Sequence, residues 1–304
     1  MTTALRSSPT HVVFPGEPGS FAEDAVLAYF GPDTVPGQLA TFRDVVEAVA
    51  DRTEAAGIVP IENVVFGTVR EVYDLLADAA VSIVGEVIVP VRLCLAALPG
   101  QPIESIERVY SHIQALGQAE AFLRTRPWSL LASTNTAGAG KMIRDRAEVG
   151  SAAVLSPRAA ALFGLVELAS DIQTEARNRT RFLVLAPSED TSAVPGEPTS
   201  TAEAAEAAET AEPHGRPMRS TLLISVRNEP GSLHRVLGVL AEHGLNMSKL
   251  ESRPSRSHAW EYVFWVDLDT DLCAPAATAA LDALRSVAVQ VRPMGCYERA
   301  AEPF

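Results

Sequence analysis

Two hydrophobic periods alternate along residues 10–186. Short apolar runs, such as residues 11–14 and 55–61, are typical of buried strands, and they end in turns that contain Gly, Pro, Ser or Asn. Each turn leads into a segment whose apolar residues recur every three or four positions, as on one face of an amphipathic helix. The repeated order of strand, polar turn and helix predicts an α/β architecture.

The extended stretch at residues 81–97 is too long for one ordinary strand. We interpret it as a crossing between two half-domains, near residues 86–92. A later apolar run, at residues 182–185, is expected to return the chain to the first half-domain near residues 176–182. The pattern therefore predicts two lobes that face each other across a cleft.

Polar side chains stand where predicted strands give way to helices. The four turns carry Ser20, Asn63, Ser111 and Thr136, and the returning strand begins with Thr180 and Arg181. Because open α/β sheets place ligands at the ends of their strands, we expect these turns to converge on one pocket. Helix N-termini would supply positive partial charge there. Taken alone, Ser20 and Ser111 fit helix caps equally well.

The pattern restarts at Ser220 as a separate unit in the order βαββαβ, which is typical of a small ferredoxin-like domain. Before it, residues 187–217 hold seven acidic residues and one arginine among Ser, Thr, Pro, Gly and Ala. A segment of this composition has no apolar face to bury, so it predicts a flexible linker.

Composition narrows the classes of function. The formal net charge of the 304-residue chain is −13, which argues against a nucleic-acid partner. The chain has neither a signal-peptide pattern near Met1 nor an apolar run of membrane-spanning length, so we expect a cytoplasmic protein without a membrane partner. Cys94, Cys273 and Cys296 fit neither a metal site nor a disulfide framework, and we expect buried free thiols.

Several motifs occur in one order along nearly the whole chain. In the first part they are Pro60-Ile61-Glu62-Asn63 with Gly67, Gly85-Glu86, Ser111-His112 with Gln118, Thr136-Ala137, and Asn178-x-Thr180-Arg181-Phe182. In the second part they are Gly231-Ser232-Leu233 and Glu251-Ser252-Arg253-Pro254. Together these residues resemble the prephenate dehydratase family with a C-terminal ACT regulatory domain.

The resemblance implies a two-lobed, periplasmic-binding-protein-like catalytic domain (residues 10–186), the linker (187–217) and an ACT domain (218–299). It also implies decarboxylative dehydration of prephenate to phenylpyruvate, with no cofactor and no metal. The partners implied are the substrate prephenate, the effector L-phenylalanine as a feedback inhibitor, and other copies of the chain in a homodimer or homotetramer whose ACT domains pair.

Roles for single residues follow from the resemblance. The catalytic candidates are Thr180, Glu62, Asn63, Ser111 and Gln118. The substrate-binding candidates are Arg181, Phe182, Ser20, Thr136, Ala137 and His112. The effector-binding candidates are Gly231, Ser232, Leu233, Asn246, Glu251, Ser252, Arg253 and Pro254.

The expected chemistry divides three tasks among these residues. Arg181 and the helix N-termini would hold the pyruvyl carboxylate of prephenate, and apolar walls would leave the ring carboxylate poorly solvated. The Thr180 hydroxyl would donate a hydrogen bond to the departing hydroxyl, with the proton supplied by Glu62 or water. In the effector domain, Arg253 could instead form a structural ion pair with Glu251 or Glu261.

Two positions depart from the family pattern, since Val64 and Ala22 stand where the family usually has hydroxyl residues. A preference for arogenate therefore stays open. Two further alternatives are a prephenate decarboxylase, a related group that does not aromatise its product, and a non-catalytic small-molecule sensor. Incubation with prephenate tests these alternatives: phenylpyruvate indicates a dehydratase, CO₂ without an aromatic product indicates a decarboxylase, and neither product indicates a sensor.

Overall fold

The computed structural model describes residues 11–188, 217–255 and 261–301. The predicted linker, residues 187–217, lies almost entirely outside the described residues.

The first lobe is built on a six-stranded mixed sheet. Its main path is β2 (Gly37–Leu39), β1 (Val12–Pro15), β3 (Ala56–Asn63), β11 (Arg179–Pro187) and β5 (Val81–Pro90), and the short β4 (Gly67–Thr68) pairs with β3. β11 is antiparallel to both of its neighbours. The helices of this lobe are α1 (Phe21–Phe30), α2 (Phe42–Ala50) and α3 (Arg70–Asp78).

The second lobe is built on a five-stranded mixed sheet. Its order is β10 (Val166–Ala169), β6 (Cys94–Ala97), β9 (Ser151–Leu155), β7 (Arg108–Ser111) and β8 (Ser129–Ala132). Its helices are α4 (Ile113–Gln118), α5 (Glu120–Leu123), α6 (Thr136–Arg146) and α7 (Pro157–Leu162).

The chain crosses between the lobes twice. The stretch of residues 81–97 forms β5 of the first sheet and β6 of the second, and β11 returns to the first sheet. The two-lobed α/β fold is thus confirmed. Strands β2, β4 and β10 were not predicted from the sequence, because they are short and mostly exposed and lack the apolar runs that mark buried strands.

The C-terminal domain is a four-stranded antiparallel sheet with two helices on one face. The strands lie in the order β13 (Met247–Pro254), β14 (Tyr262–Leu268), β12 (Met218–Ser225) and β15 (Gln290–Glu298), and the helices are α8 (Ser232–Glu242) and α9 (Thr278–Val287). Because the first strand lies between the third and the fourth, this order confirms the predicted ferredoxin-like unit.

The expectation of three free thiols is wrong for two of the cysteines. A disulfide joins Cys273 to Cys296 of β15, whereas Cys94 is free and buried. The hydroxyl of Ser220 accepts a hydrogen bond from the N–H of Leu272, and Ser220 is the register partner of Cys296. This contact brings the turn after β14 beside β15, a proximity that the 23-residue sequence separation does not reveal. Burial raises the pKa of Cys94 to about 12.

The other face of the C-terminal sheet packs on the first lobe. Trp265 and Tyr297 share one buried apolar cluster with residues of α3 and β11, and the rings of Trp265 and Tyr73 meet edge to face with centroids 5.2 Å apart. Gly295 lets β15 approach β5 closely, because a Cβ at this position would overlap the carbonyl oxygen of Ile83.

Buried charges cross the same interface. The guanidinium of Arg181 on β11 lies 2.6 Å from Asp267 Oδ2 of β14 and, through Nε, 2.9 Å from Glu86 Oε2 of β5. Glu86 also accepts two hydrogen bonds from Arg219 of β12, at 2.9 and 3.0 Å. Burial alone would lower the pKa of Arg181, but the negative charge of Asp267 raises it above its ordinary value. Arg181 is therefore a charged structural link between the domains.

Strand β13 adds a row of polar contacts to this interface. Lys249 pairs with Glu62 at 2.7 Å, Glu251 accepts a hydrogen bond from the hydroxyl of Thr68 at 2.9 Å, and Arg253 binds Asp74 through two hydrogen bonds. These three residues of β13 alternate with exposed ones, as expected for a strand that packs through one face.

Among the described residues, no helix combines the length and the apolar character needed to cross a membrane.

We predict that Asp267→Asn lowers the free energy of unfolding by about 3 kcal/mol, because it leaves the buried Arg181 without its nearest carboxylate. The loss is limited because Glu86 still contacts Arg181. Chemical denaturation followed by circular dichroism measures it.

The matched control is Asp282→Asn, which removes an exposed ion pair with Arg285. Such pairs contribute about 0–1 kcal/mol, so this variant should unfold close to the wild type. Equal denaturation midpoints for the two variants would contradict a structural role for the buried pair.

Candidate active site

Thr180 and Asn63 form the centre of the candidate site. They are directly opposite each other in the antiparallel pairing of β11 with β3, and Asn63 Nδ2 lies 2.9 Å from Thr180 Oγ1. The side-chain oxygen of Asn63 accepts hydrogen bonds from the backbone N–H groups of Val65 and Phe66. Because a backbone N–H can only donate, these two bonds fix the orientation of the amide, and Nδ2 must donate to Thr180. The hydroxyl hydrogen of Thr180 is then free to point to another acceptor.

Asn178 holds the Asn63 side chain of this pair in place. Its side chain is buried, and its Oδ1 accepts a second hydrogen bond from Asn63 Nδ2, at 2.9 Å. The sequence analysis included Asn178 in a motif but gave it no role. A buried amide next to a predicted catalytic hydroxyl acts as a positioning residue here, since it helps to hold Asn63 in place.

The pair opens into a cleft of about 540 Å³ between the two lobes. This volume lies in the range of small-molecule sites. Of the predicted site residues, the cleft brings together Thr180, Asn63 and Phe182 from the first lobe with His112, Gln118 and Thr136 from the second. An adjoining hollow of about 240 Å³ is lined by Ser20 and Ala137, and it shares His112 and Thr136 with the cleft.

Helices α1, α4 and α6 begin at this cleft, and a side chain caps each of them. Ser20, His112 and Asn135 accept hydrogen bonds from backbone N–H groups in the first turns of α1, α4 and α6. The cap of α4 is thus His112, whereas the sequence analysis considered Ser111 for that role. Capping thus explains why polar residues stand at the starts of these three helices. The positive ends of the helix dipoles also face the cleft region.

Arg181 and Glu62 do not line the cleft, which corrects their predicted roles in substrate binding and proton supply. In a strand, neighbouring side chains point to opposite faces. Thr180 and Asn63 face the cleft, so Arg181 and Glu62, which pair in the same register, face the C-terminal domain. There Arg181 binds Asp267 and Glu86, and Glu62 binds Lys249.

Ser111 is also outside the cleft. Its side chain is fully buried, and its hydroxyl donates a hydrogen bond of 2.6 Å to the carbonyl oxygen of Val154 on β9. This geometry gives Ser111 a structural role at the end of β7 in place of the predicted catalytic one.

The two departures from the family pattern differ in their consequences. Ala22 is buried and lines the cleft, so the missing hydroxyl leaves that wall apolar. Val64 is 71% exposed and is not among the residues that line the cleft. Sequence reasoning also missed Phe42, Arg70 and Glu71, which do line it.

The effector candidates lie in two places. Gly231, in the left-handed conformation at φ 81°, begins α8, where Ser232 is buried and Leu233 half-buried. Asn246 donates a hydrogen bond to Asp269 at 2.8 Å. On β13, Glu251 and Arg253 face the first lobe, whereas Ser252 and Pro254 are exposed. The partner of Arg253 is Asp74, and this corrects the predicted ion pair with Glu251 or Glu261.

The fold and the site define an enzyme with two α/β lobes and a C-terminal sensor-like domain. Residues 12–190 match the family described as prephenate dehydratase, and residues 220–286 match the ACT domain. The chain belongs to the prephenate dehydratase family, whose members are lyases.

Similar proteins share most of this length. The bifunctional chorismate mutase/prephenate dehydratase of Aquifex aeolicus is 32% identical over 95% of this chain and 74% of its own. The arogenate dehydratase/prephenate dehydratase 2 of Arabidopsis thaliana is 34% identical over 95% of this chain and 73% of its own.

Two solved structures are similar over the whole fold. One is described as a quorum quenching acylase, GqqA, and it is 28% identical with a TM-score of 0.80 over 96% of this chain and 98% of its own. The other is the prephenate dehydratase of Arthrobacter aurescens in complex with L-Phe, 26% identical with a TM-score of 0.78 over 95% of this chain and 90% of its own.

We predict that His112 is neutral near neutral pH, because burial lowers the pKa of its ring below the ordinary value of about 6.5. The hydrogen bond that its Nδ1 accepts from the N–H of Gln114 also requires an unprotonated Nδ1. With the folded pKa lowered, the unfolded chain binds the proton more readily, so this residue's contribution to stability is lost as pH falls below about 6.5.

Titration of the ring by NMR, with His112→Gln to assign its signals, measures this pKa. We expect a midpoint below about 6.5. If kcat/KM depends on the protonation of His112, it should change with pH in the same acidic range. A midpoint at or above the ordinary value would contradict the assignment.

Proposed function

We propose that the protein converts prephenate to phenylpyruvate, with release of CO₂ and water. The observation that carries this proposal is the Thr180–Asn63 pair, whose free hydroxyl hydrogen faces a cleft between two lobes. Family membership supplies the reaction class, and the cleft supplies a donor suited to it.

The reaction needs little acid–base machinery. As the ring carboxylate leaves as CO₂, the electrons of its bond enter the ring and expel the C4 hydroxyl, which takes up a proton and leaves as water. Thr180 stabilises the departing oxygen by a hydrogen bond, since its hydroxyl is far too weak an acid to ionise. Because Glu62 is bound to Lys249 on the far side of the sheet, the proton comes from water.

Apolar walls complete the proposal. Phe182, Phe42 and Ala22 line the cleft, and they exclude water from the ring carboxylate. A poorly solvated carboxylate loses CO₂ more readily because the charge disperses as the bond breaks. Gln118 and Thr136 orient the substrate from the opposite lobe.

Arogenate is a second candidate substrate, and one observation favours it. Arogenate has an ammonium group where prephenate has a keto oxygen, and Glu71 is a carboxylate that lines the cleft. Comparison of kcat/KM for the two compounds decides between them. In the same assay with prephenate, CO₂ without an aromatic product would indicate a decarboxylase, and no turnover of either compound would indicate a sensor.

We predict that Thr180→Val lowers kcat by about 10²–10³, because one transition-state donor is lost. Thr180→Ser keeps the hydroxyl and should retain much of the activity. Phenylpyruvate is measured by its enolate absorbance in alkali.

Thr125→Val is the matched control, because Thr125 is exposed and its hydroxyl donates a hydrogen bond to the local carbonyl of Phe122. It should turn over prephenate at the wild-type rate. Normal turnover by Thr180→Val would show that Thr180 is not the donor, and the reaction would then require another one.

Regulation by L-phenylalanine is part of the proposal, and the L-Phe complex of the Arthrobacter aurescens relative supports it. Phenylalanine binds near residues 231–233 and Asn246, between C-terminal domains of two copies. Three contacts connect the C-terminal domain with the cleft. Asp267 binds Arg181, which is next to Thr180, and Lys249 binds Glu62, which is next to Asn63. Glu251 binds Thr68, which lines the cleft. Pairing of these domains makes a homodimer or homotetramer, which light scattering tests.

We predict that L-phenylalanine raises the melting temperature and lowers the activity of the wild type, whereas D-phenylalanine does neither. Lys249→Met should still bind L-phenylalanine in calorimetry but be inhibited less, because the Lys249–Glu62 contact is lost. Wild-type activity and melting that stay constant in saturating L-phenylalanine would contradict regulation, and full inhibition of Lys249→Met would contradict this route.

A further inference from the structure

The cleft has to hold a dianion in a protein whose net charge is −13. The sequence pointed to Arg181 for this task, but its guanidinium is bound to Asp267 and Glu86 on the opposite face of the sheet. Burial lowers the pKa of His112, which disfavours a positive charge on its ring. The helix N-termini at the cleft carry only partial positive charges. A full counter-charge for the substrate therefore has to come from another residue that lines the cleft.

Arg70 is the one lysine or arginine among the described residues that line the cleft. Several cations elsewhere in the two lobes are held in ion pairs, among them Lys141 with Glu17, Arg158 with Glu23 and Asp24, and Arg92 with Asp171. Arg70 is exposed, and its side chain makes neither a hydrogen bond nor an ion pair within the described part of the chain. Its guanidinium is available to a ligand.

The backbone holds Arg70 in a fixed relation to the Thr180–Asn63 pair. Asn63 pairs with Gly67 across the short hairpin of β3 and β4, and the N–H of Val69 donates to the carbonyl oxygen of Ile61 at 3.0 Å. Arg70 follows immediately as the first residue of α3. The hairpin that positions the Asn63 amide therefore also positions Arg70.

An arginine at this place is unfavourable for the helix itself. The N-terminus of a helix carries positive partial charge, and a cation there costs a few tenths of a kcal/mol to about 1 kcal/mol. Val69, the N-cap of α3, makes no side-chain hydrogen bond that would offset this. A residue that breaks a local rule without a structural gain is a candidate for a functional role.

We propose that Arg70 binds a carboxylate of the substrate and sets the affinity of the cleft for it. This inference rests on the proposed function and assigns the carboxylate on the side chain, not the one on the ring. A guanidinium on the ring carboxylate would stabilise the charge that must disperse as CO₂ leaves, whereas on the other carboxylate it holds the substrate equally before and during the reaction. Glu71, the next residue, also lines the cleft, so the summed charge of Arg70 and Glu71 is zero. Arg70 therefore binds the substrate carboxylate by direct contact and not by long-range attraction.

The test compares Arg70→Gln and Arg70→Lys with the wild type in steady-state assays on prephenate. Arg70→Gln should raise KM by about 10- to 100-fold, the loss expected for a charged hydrogen-bonded contact, with kcat within about threefold. Arg70→Lys keeps the charge without the fork geometry and should have an intermediate KM. Increasing salt should raise the KM of the wild type more than that of Arg70→Gln.

Arg124→Gln is the matched control, because it makes the same change in net charge at an exposed ion pair with Glu120 in the second lobe. Its KM should equal that of the wild type, and circular dichroism should show that all variants are folded. A wild-type KM for Arg70→Gln, or a fall in kcat at constant KM, would overturn the role of Arg70 while leaving the proposed reaction intact. A wild-type protein that forms no phenylpyruvate would instead overturn the proposed function.

Discussion

The pairing register of β11 with β3 is the constraint on which the two halves of the molecule depend. With Thr180 opposite Asn63, one pair of side chains faces the cleft, and the next pair, Arg181 and Glu62, faces the C-terminal domain. A slip of one residue would exchange the two faces of the strand. The same short segment therefore presents a hydrogen-bond donor to the substrate cleft on one face and a buried cation to the regulatory domain on the other.

The buried charges give this arrangement a defined geometry. Arg181 and Arg219 share Glu86, which is completely buried, and Asp267 receives a further hydrogen bond from the hydroxyl of Thr221. Burying these charges costs solvation energy, which their mutual contacts offset only in one relative position of the two domains. An apolar interface would tolerate small sliding movements. With its charges matched this closely, the interface joins β14 to β11 through the Asp267–Arg181 contact.

Sequence patterns predicted the order of elements well and the faces of side chains poorly. The two lobes and the βαββαβ unit follow from local periodicity, and the structure confirms them. The sequence placed Glu62 beside Asn63, and Arg181 beside Thr180, in one site, and for Glu62 and Arg181 this was wrong. Strand alternation alone indicates that adjacent residues point to opposite faces. Asp74 as the partner of Arg253, and Cys273 as that of Cys296, depend on contacts between distant segments, which local patterns do not contain.

In the proposed mechanism, a weak donor such as the Thr180 hydroxyl suffices in the cleft. Aromatisation of the ring would drive that reaction, so the protein needs to orient one carbon–oxygen bond and stabilise one departing oxygen, and a fixed hydroxyl can do both. An ionised acid at the position of Thr180 would instead face a dianionic substrate with a further negative charge. Asn63 is better suited as its neighbour, because an amide held by two backbone N–H groups stays neutral and keeps one orientation at every pH. The separation of Glu62 from the cleft is thus consistent with the chemistry, since a carboxylate tied to the regulatory domain adds no repulsion where the substrate binds.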